Sequence, residues 1–191
     1  MNKIEVVLPI ASVLVIYLAR MVELKAKRNT IRGPVKENLT LRLFMLAGTF
    51  MLVGAITEFL LRHSALWWPT YVAGIACAIA SFAIRRRAIA ALGKFWSLHV
   101  EIRESHEFVR SGPFRWVRHP TYFSMILELA SIGLILNAYF SFIVAAAIFI
   151  PTLLLRLKLE ETALVEKFGA TYQTYQRETP AILPYKWPAS K

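Results

Sequence analysis

The chain has little of what marks several common classes of protein. Cysteine occurs once, as Cys77 inside an apolar stretch, so an internal disulfide is excluded and the redox compartment stays open. His63, His99, His106 and His119 are the only histidines, and no two are spaced as a close ligand pair, so no metal is expected. The sequence has no G-x-S-x-G elbow and no phosphate-cradling glycine loop. The nearest pattern, Gly48 to Gly54, lies in an apolar stretch and reads as helix packing. Acidic residues are scarce too: 12 against 23 lysines and arginines, for a net charge of +11. In a soluble protein that excess would point to nucleic acid. Here the cations gather in particular loops, so no nucleic-acid partner is expected.

Apolar residues are what the chain has in abundance. They make up 57% of its 191 residues, and the mean hydropathy is +0.48. Soluble domains run at about 45–50% apolar. The expected class is therefore an all-α integral membrane protein forming one structural domain. Val6 to Ala19 lacks a small-residue cleavage pattern before the following basic run, so it reads as a retained span, not a signal peptide.

A helix needs about 20 apolar residues to cross a bilayer. Leu43 to Leu61 and Trp67 to Ile84 meet this, and Ile4 to Ala19 comes close. Thr121 to Leu155 is too long for one span and carries a single charge, Glu128. Split near Asn137, a good turn residue, it gives a hairpin of two short spans. The expected total is about five transmembrane helices, followed by a helical tail. In that tail Leu157 to Phe168 reads as helix, Gly169 as an interruption, and the next residues to Glu178 as a second helix.

The cations set the orientation. One loop holds Lys25, Lys27, Arg28, Arg32 and Lys36. Another opens with Arg85-Arg86-Arg87 and adds Lys94, Arg103, Arg110, Arg115 and Arg118. The tail holds Arg156, Lys158, Lys167, Arg177, Lys186 and Lys191. Five spans put all three regions on one side, which is then the cytoplasmic side. Trp67, Trp68, Trp96, Trp116 and Trp187 fall near span ends or in the polar regions, and most read as interfacial anchors. Glu101, Glu104 and Glu107 alternate with Arg103 and His106 in a loop or short amphipathic piece, and Gly112-Pro113 marks a turn.

Three groups of polar residues could carry chemistry. Arg115, Arg118 and His119 precede Pro120, a residue suited to the first turn of a helix. A helix start flanked by guanidinium groups and an imidazole fits a carboxylate or phosphate, although lipid-headgroup contact explains the charge equally well. Glu160 and Glu161 follow the last apolar run, with Arg156 one helical turn earlier. An intrahelical ion pair competes there with a site in which one carboxylate holds a hydroxyl, amine or sulfonium and the other faces water. Glu128 lies inside an apolar run, where a carboxylate is costly. It reads as a functional group or as a hydrogen-bonding link to a neighbouring helix, through Ser131 or Thr57.

These residues also form an ordered pattern. Leu92-Gly93 with Trp96-Ser97 comes first, then the block Gly112-Pro113-Phe114-Arg115-Trp116-Val117-Arg118-His119-Pro120-Thr121-Tyr122. Glu160-Glu161, Phe168-Gly169, and Tyr172 with Tyr175 follow. From Leu92 to Pro184 the chain resembles the isoprenylcysteine carboxyl methyltransferase family, a wider group that includes phospholipid N-methyltransferases. It departs from that pattern at Ser124, where glycine is common, and at Phe114, where tyrosine is commoner.

The resemblance implies a membrane-embedded methyltransferase that uses S-adenosylmethionine without a soluble Rossmann-type domain. His119, Pro120, Tyr122, Glu160 and Glu161 would then line the cofactor pocket. Arg118 and Arg156 would face the cofactor carboxylate or an anionic acceptor, and for an amine acceptor Glu128 or one of the glutamate pair would be the base. Residues 1–84 would supply spans, and residues 85–191 the catalytic region. A lipid or lipidated acceptor would enter from the bilayer. The first expectation is isoprenylcysteine-type carboxyl O-methylation, and the second is N-methylation of a phospholipid such as phosphatidylethanolamine. A sterol-reductase-like enzyme fits less well, because Thr121 stands where that family has asparagine. A non-catalytic protein binding anionic lipids would explain the charge but not the ordered motif.

Overall fold

The computed structural model describes residues 3–25, 39–62, 66–93 and 109–187. Six α-helices and no strand occur among the described residues: α1 (Lys3–Lys25), α2 (Leu39–Leu61), α3 (Trp68–Leu92), α4 (Pro120–Ile135), α5 (Tyr139–Phe168) and α6 (Ala170–Glu178). A 3-10 turn covers Gly112–Arg115. Lys27, Arg28, Arg32, Lys36, His63, Lys94, Trp96, Ser97, His99, Arg103, His106, Lys191 and Glu101 to Glu107 lie outside the described residues.

Helices α1, α2 and α5 are each long and apolar enough to cross a membrane, whereas α4 is apolar but shorter. Their surfaces explain the composition. Leu14, Val15, Leu18, Val53, Ile79, Ile143 and Leu154 are exposed, while Val13, Met51, Ala55, Phe59, Ala145 and Leu153 are buried. Apolar residues thus cover the inside and the outside of the bundle, as hydrocarbon solvent requires.

Contacts between helices define two ends. At one end Thr40 of α2 meets Arg156 of α5, and Arg20 of α1 meets Glu128 of α4. At the other end Glu58 of α2 accepts hydrogen bonds from the backbone of Phe140 and Ser141, which opens α5. The side chain of Thr70, in the first turn of α3, reaches Asn137 there, at 2.8 Å. Consecutive long helices therefore run in alternating directions. Asn137 adopts φ +50 between α4 and α5, the turn expected of it.

Several boundaries differ from the sequence reading, and α3 for one runs past Ile84 to Leu92. The Leu157–Phe168 helix is not a separate element, because α5 runs unbroken from Tyr139 through it. Nothing between Leu155 and Leu157 disfavours helix, and Arg156 and Glu160 lie one turn apart along it. Helix α1 likewise passes Ala19 to Lys25, because Arg20 and Glu23 pair instead of ending the helix.

Small residues set the tightest approaches. At Gly74 of α3, an added Cβ would lie 2.6 Å from Ile135 and 2.9 Å from the carbonyl oxygen of Ser131 in α4. Within the Gly48 to Gly54 stretch, Gly54 packs on Ser141 but Gly48 faces open space, so the packing reading holds for one of the two.

Candidate active site

The block Ser111 to Pro120 folds as a tight approach to α4. Gly112 takes φ +61, a conformation glycine adopts freely, and the 3-10 turn follows. Phe114 and Val117 bury their side chains and hold the turn down. The chain beyond α6 returns alongside. The backbone N–H groups of Arg118 and His119 donate to Pro180 and Ala181 carbonyls, both at 2.9 Å. Pro120 occupies the first turn of α4, where its missing N–H costs nothing.

Helix α5 carries Arg156, Glu160 and Glu161 to this point. The His119 ring lies between the two carboxylates. Nε2 is 3.1 Å from Glu161 and Nδ1 is 3.4 Å from Glu160. Both glutamates thus face the imidazole, which corrects the expectation that one would face water. Adjacent residues on a helix diverge, but an imidazole offers nitrogens on two sides and spans the divergence. Tyr122, one turn into α4, stacks on His119 with centroids 5.3 Å apart and planes 7° from parallel.

Two arginines flank the imidazole. Arg118 Nε donates to Glu161 at 2.7 Å, and its Nη1 donates to the backbone oxygens of Gln176 and Thr179. Much of its fork is therefore spent on holding the tail against α5. Arg156 is buried. It donates to the Tyr122 hydroxyl at 3.0 Å and to the Thr40 hydroxyl at 3.1 Å, and lies 3.7 Å from Glu160. Burial alone would push the His119 imidazole down, but the hydrogen bonds and charges of Glu160 and Glu161 outweigh it and raise its pKa.

Helix α6 closes the side. Tyr172 and Tyr175 are buried, the Tyr175 hydroxyl donates to the Phe114 carbonyl at 2.6 Å, and the Gln176 amide donates to Glu161 at 2.9 Å. Outside the carboxylates, Leu157, Lys158, Glu161, Thr162, Val165, Glu166 and Gln176 line a groove of about 410 Å³. That volume is in the range of small-molecule sites, roughly 300–1,000 Å³.

Of the eight residues given site roles from the sequence, the structure brings together seven: Arg118, His119, Pro120, Tyr122, Arg156, Glu160 and Glu161, while Arg115 of the same basic group is exposed. Glu128 stands apart. It pairs with Arg85 at 2.6 Å, on a different face of α4. Ser131 donates to the Glu128 backbone oxygen, not to its side chain. Sequence reasoning missed Thr40 and Gln176. Neither residue type marks a site, and Thr40 comes from a helix 116 positions away from its partner. Among the described residues no group of three metal-ligating side chains occurs.

Fold and site together define a helical membrane protein with a charged, mostly buried site at one end of its bundle. The chain belongs to the isoprenylcysteine carboxyl methyltransferase family, whose sequence model matches residues 69–166, half of the chain. The match runs from the start of α3 through the two glutamates. YpbQ, an uncharacterized protein of Bacillus subtilis, is 33% identical over 114 residues, 58% of this chain and 66% of that protein. An uncharacterized protein of Haemophilus influenzae is 33% identical over 96 residues, 50% of this chain and 56% of that one. A probable protein-S-isoprenylcysteine O-methyltransferase of Oryza sativa subsp. japonica is 24% identical over 146 residues, 74% of this chain and 76% of the rice protein. The match thus spans about two thirds of the Bacillus relative's length and little more than half of the Haemophilus one's.

Proposed function

We propose that this chain is a membrane methyltransferase that moves a methyl group from S-adenosylmethionine to the carboxylate of a prenylated cysteine or a close analogue. The observation that carries this reading is His119 held between Glu160 and Glu161, with Arg118 and Arg156 on either side. Three cations against two carboxylates leave room for one more anion. The same groups suit a ligand that itself carries an ammonium, a sulfonium, a carboxylate and a ribose diol. When bound, that donor supplies a methyl group on a positively charged sulfur.

The chain's part is to position and to exclude water. Methyl transfer is an in-line displacement, so alignment in a dry site does most of the work. A carboxylate acceptor is already anionic at neutral pH and needs orientation more than a base. Arg156, buried and fixed by Tyr122 and Thr40, is the residue we assign to that orientation. Glu160 and Glu161 face the donor's cationic groups, and His119, as imidazolium, keeps them apart and ionised. Arg118 fixes the tail that closes the site. Glu128 was one candidate base, but Arg85 at 2.6 Å holds it as a paired carboxylate. Glu160 and Glu161, the other candidate bases, are paired with His119, which favours a carboxylate acceptor over a phospholipid amine, an acceptor that needs deprotonation.

In this reading residues 1–84 supply spans and residues 85–191 the catalytic region, and the acceptor reaches the site from the bilayer. The test is calorimetric titration of detergent-purified protein with S-adenosylhomocysteine, the expected product. Saturable binding that is lost in His119→Ala and Glu161→Ala supports the reading. Binding unchanged in both variants, or absent from folded wild-type protein with lipid added back, overturns it. Labelled methyl donor with prenylcysteine and phosphatidylethanolamine then separates the two acceptors.

A further inference from the structure

On another face of α4, four charged residues from three helices meet. Arg85 of α3 donates through Nε to Glu23 of α1 at 2.7 Å and through Nη1 to Glu128 of α4 at 2.6 Å. Arg20 of α1 pairs with Glu23 at 2.9 Å and approaches Glu128 at 3.8 Å. The pocket around Arg85 is polar on one side, where Ser81 and Ser124 lie at 3.4 Å, and aromatic on the other, where Phe82 lies under the guanidinium. The methyl-transfer site proposed above uses Tyr122, some 120° or more around α4 from Ser124 and Glu128 at about 100° per residue.

Three features of the cluster point to a ligand. Its depth is that of lipid headgroups, because Arg85 ends the apolar stretch of α3 and the next residues, Arg86 and Arg87, are exposed. Its outer members keep a path to the surroundings. The side chains of Arg20, Glu23 and Glu128 are 16%, 12% and 16% exposed, against 2% for Arg85. Finally, Arg85 Nη2 is the only buried side-chain nitrogen or oxygen among the described residues that has no hydrogen-bond partner. A buried guanidinium donor without an acceptor is costly and calls for an oxygen.

A tether between α1 and the bundle would account for the ion pairs but not for the unpaired donor. The charge balance then selects the ligand. Two arginines and two glutamates cancel, so the cluster attracts neither a bare anion nor a bare cation. It complements a molecule that carries both charges a few ångströms apart. We propose that Arg20, Glu23, Arg85 and Glu128 form a binding site for a zwitterionic phospholipid headgroup. The phosphate faces Arg85 Nη2 and Arg20, and the amine faces Glu23 and Glu128. Helix α1 makes few contacts with the rest of the bundle, so it can give way to admit the headgroup. The ligand would be a component of the surrounding membrane, held separately from the acceptor.

The test uses delipidated full-length protein in detergent, with dioleoyl-phosphatidylethanolamine, dioleoyl-phosphatidylcholine, dioleoyl-phosphatidylglycerol or dioleoylglycerol added in mixed micelles. Native mass spectrometry reads bound lipid. Both zwitterionic lipids are expected to bind saturably and about tenfold more tightly than the anionic or uncharged one, the worth of roughly one charge-assisted hydrogen bond. Arg20→Gln should remove most of that preference while leaving S-adenosylhomocysteine binding unchanged. Arg20 is partly exposed, so this variant is a safer choice than changing Arg85, which holds three helices together. Tighter binding of phosphatidylglycerol would overturn the proposal in favour of an anion site. Equal binding of all four lipids, or a preference that survives Arg20→Gln, would leave the cluster a structural tether only.

Discussion

At the scale of single residues, His119 is the hinge of the site, and its titration can be followed. Its pKa is raised above the usual 6.5 by Glu160 and Glu161, despite burial. A raised pKa means that the folded state holds this proton more tightly than the unfolded chain does. The stabilisation is therefore complete below about pH 6.5 and is lost as pH climbs through the raised value. Thermal unfolding measured from pH 6 to pH 9 should show the melting temperature falling with pH. His119→Gln should lower the acid plateau and flatten the curve. An unchanged slope in that variant would show that another group titrates. Tyr122→Phe makes a second check. It removes the hydroxyl that accepts from Arg156 and keeps the ring stacked on His119. The expected cost is about 1 kcal/mol in stability, with a larger proportional loss of methyl transfer if Arg156 orients the acceptor. The sequence made most of this visible, because His119, Arg156 and the glutamates are unusual residues beside apolar runs. It could not separate Arg85 from its neighbours. Arg85-Arg86-Arg87 reads as three equal topogenic charges, and only the three-dimensional packing turns the first one inward.

At the scale of elements, the bundle depends on how closely α3 approaches α4. A methyl group at Gly74 would meet Ile135 and the backbone of Ser131 at distances that side-chain motion alone cannot relieve. Gly74→Ala should therefore destabilise the protein by about 1–3 kcal/mol, the range for overpacking. Gly48→Ala is the control, since nothing lies within 4 Å of its added Cβ. Removing a flexible glycine from a helix interior should leave stability equal or slightly higher. Equal melting temperatures for the two variants would refute the close-packing account. Helix existence was legible from length and apolarity, as was the α4–α5 turn at Asn137. Which glycine faces a neighbour was not, because an all-round apolar helix carries no periodic signal to mark its inner face. The same lack of contrast hid the continuity of α5. Charge begins at Arg156, but the helix does not end there.

At the scale of the whole molecule, the contacts fix which helix ends lie together, and the charges predict which end faces the cytoplasm. Arg42, Arg86, Arg87, Arg115, Lys158 and the site itself lie at the end where Thr40 meets Arg156. Lys3 and Arg62 are the described cations at the end where Glu58 caps α5. The sequence predicted this sorting from loop composition, because positive charge resists translocation whatever the packing behind it. It predicts that the C-terminal tail, α6 and the site are cytoplasmic. Fusions after Lys191 test this directly. A green fluorescent protein fused there should fluoresce, and an alkaline phosphatase should be inactive. The same phosphatase inserted in the 63–65 connection should be active. The reverse pattern would invert the bundle and move the proposed site away from the cytosolic supply of its methyl donor. A third fusion, of green fluorescent protein before Met1, reports whether α1 crosses: with α1 in the membrane the N-terminus and the tail fall on opposite sides, and without it they fall on the same side. The second outcome would remove the headgroup-level placement of Arg20 and Glu23. The fusion pattern therefore bears on both ligands proposed for this chain, because each argument depends on which charges share a membrane surface.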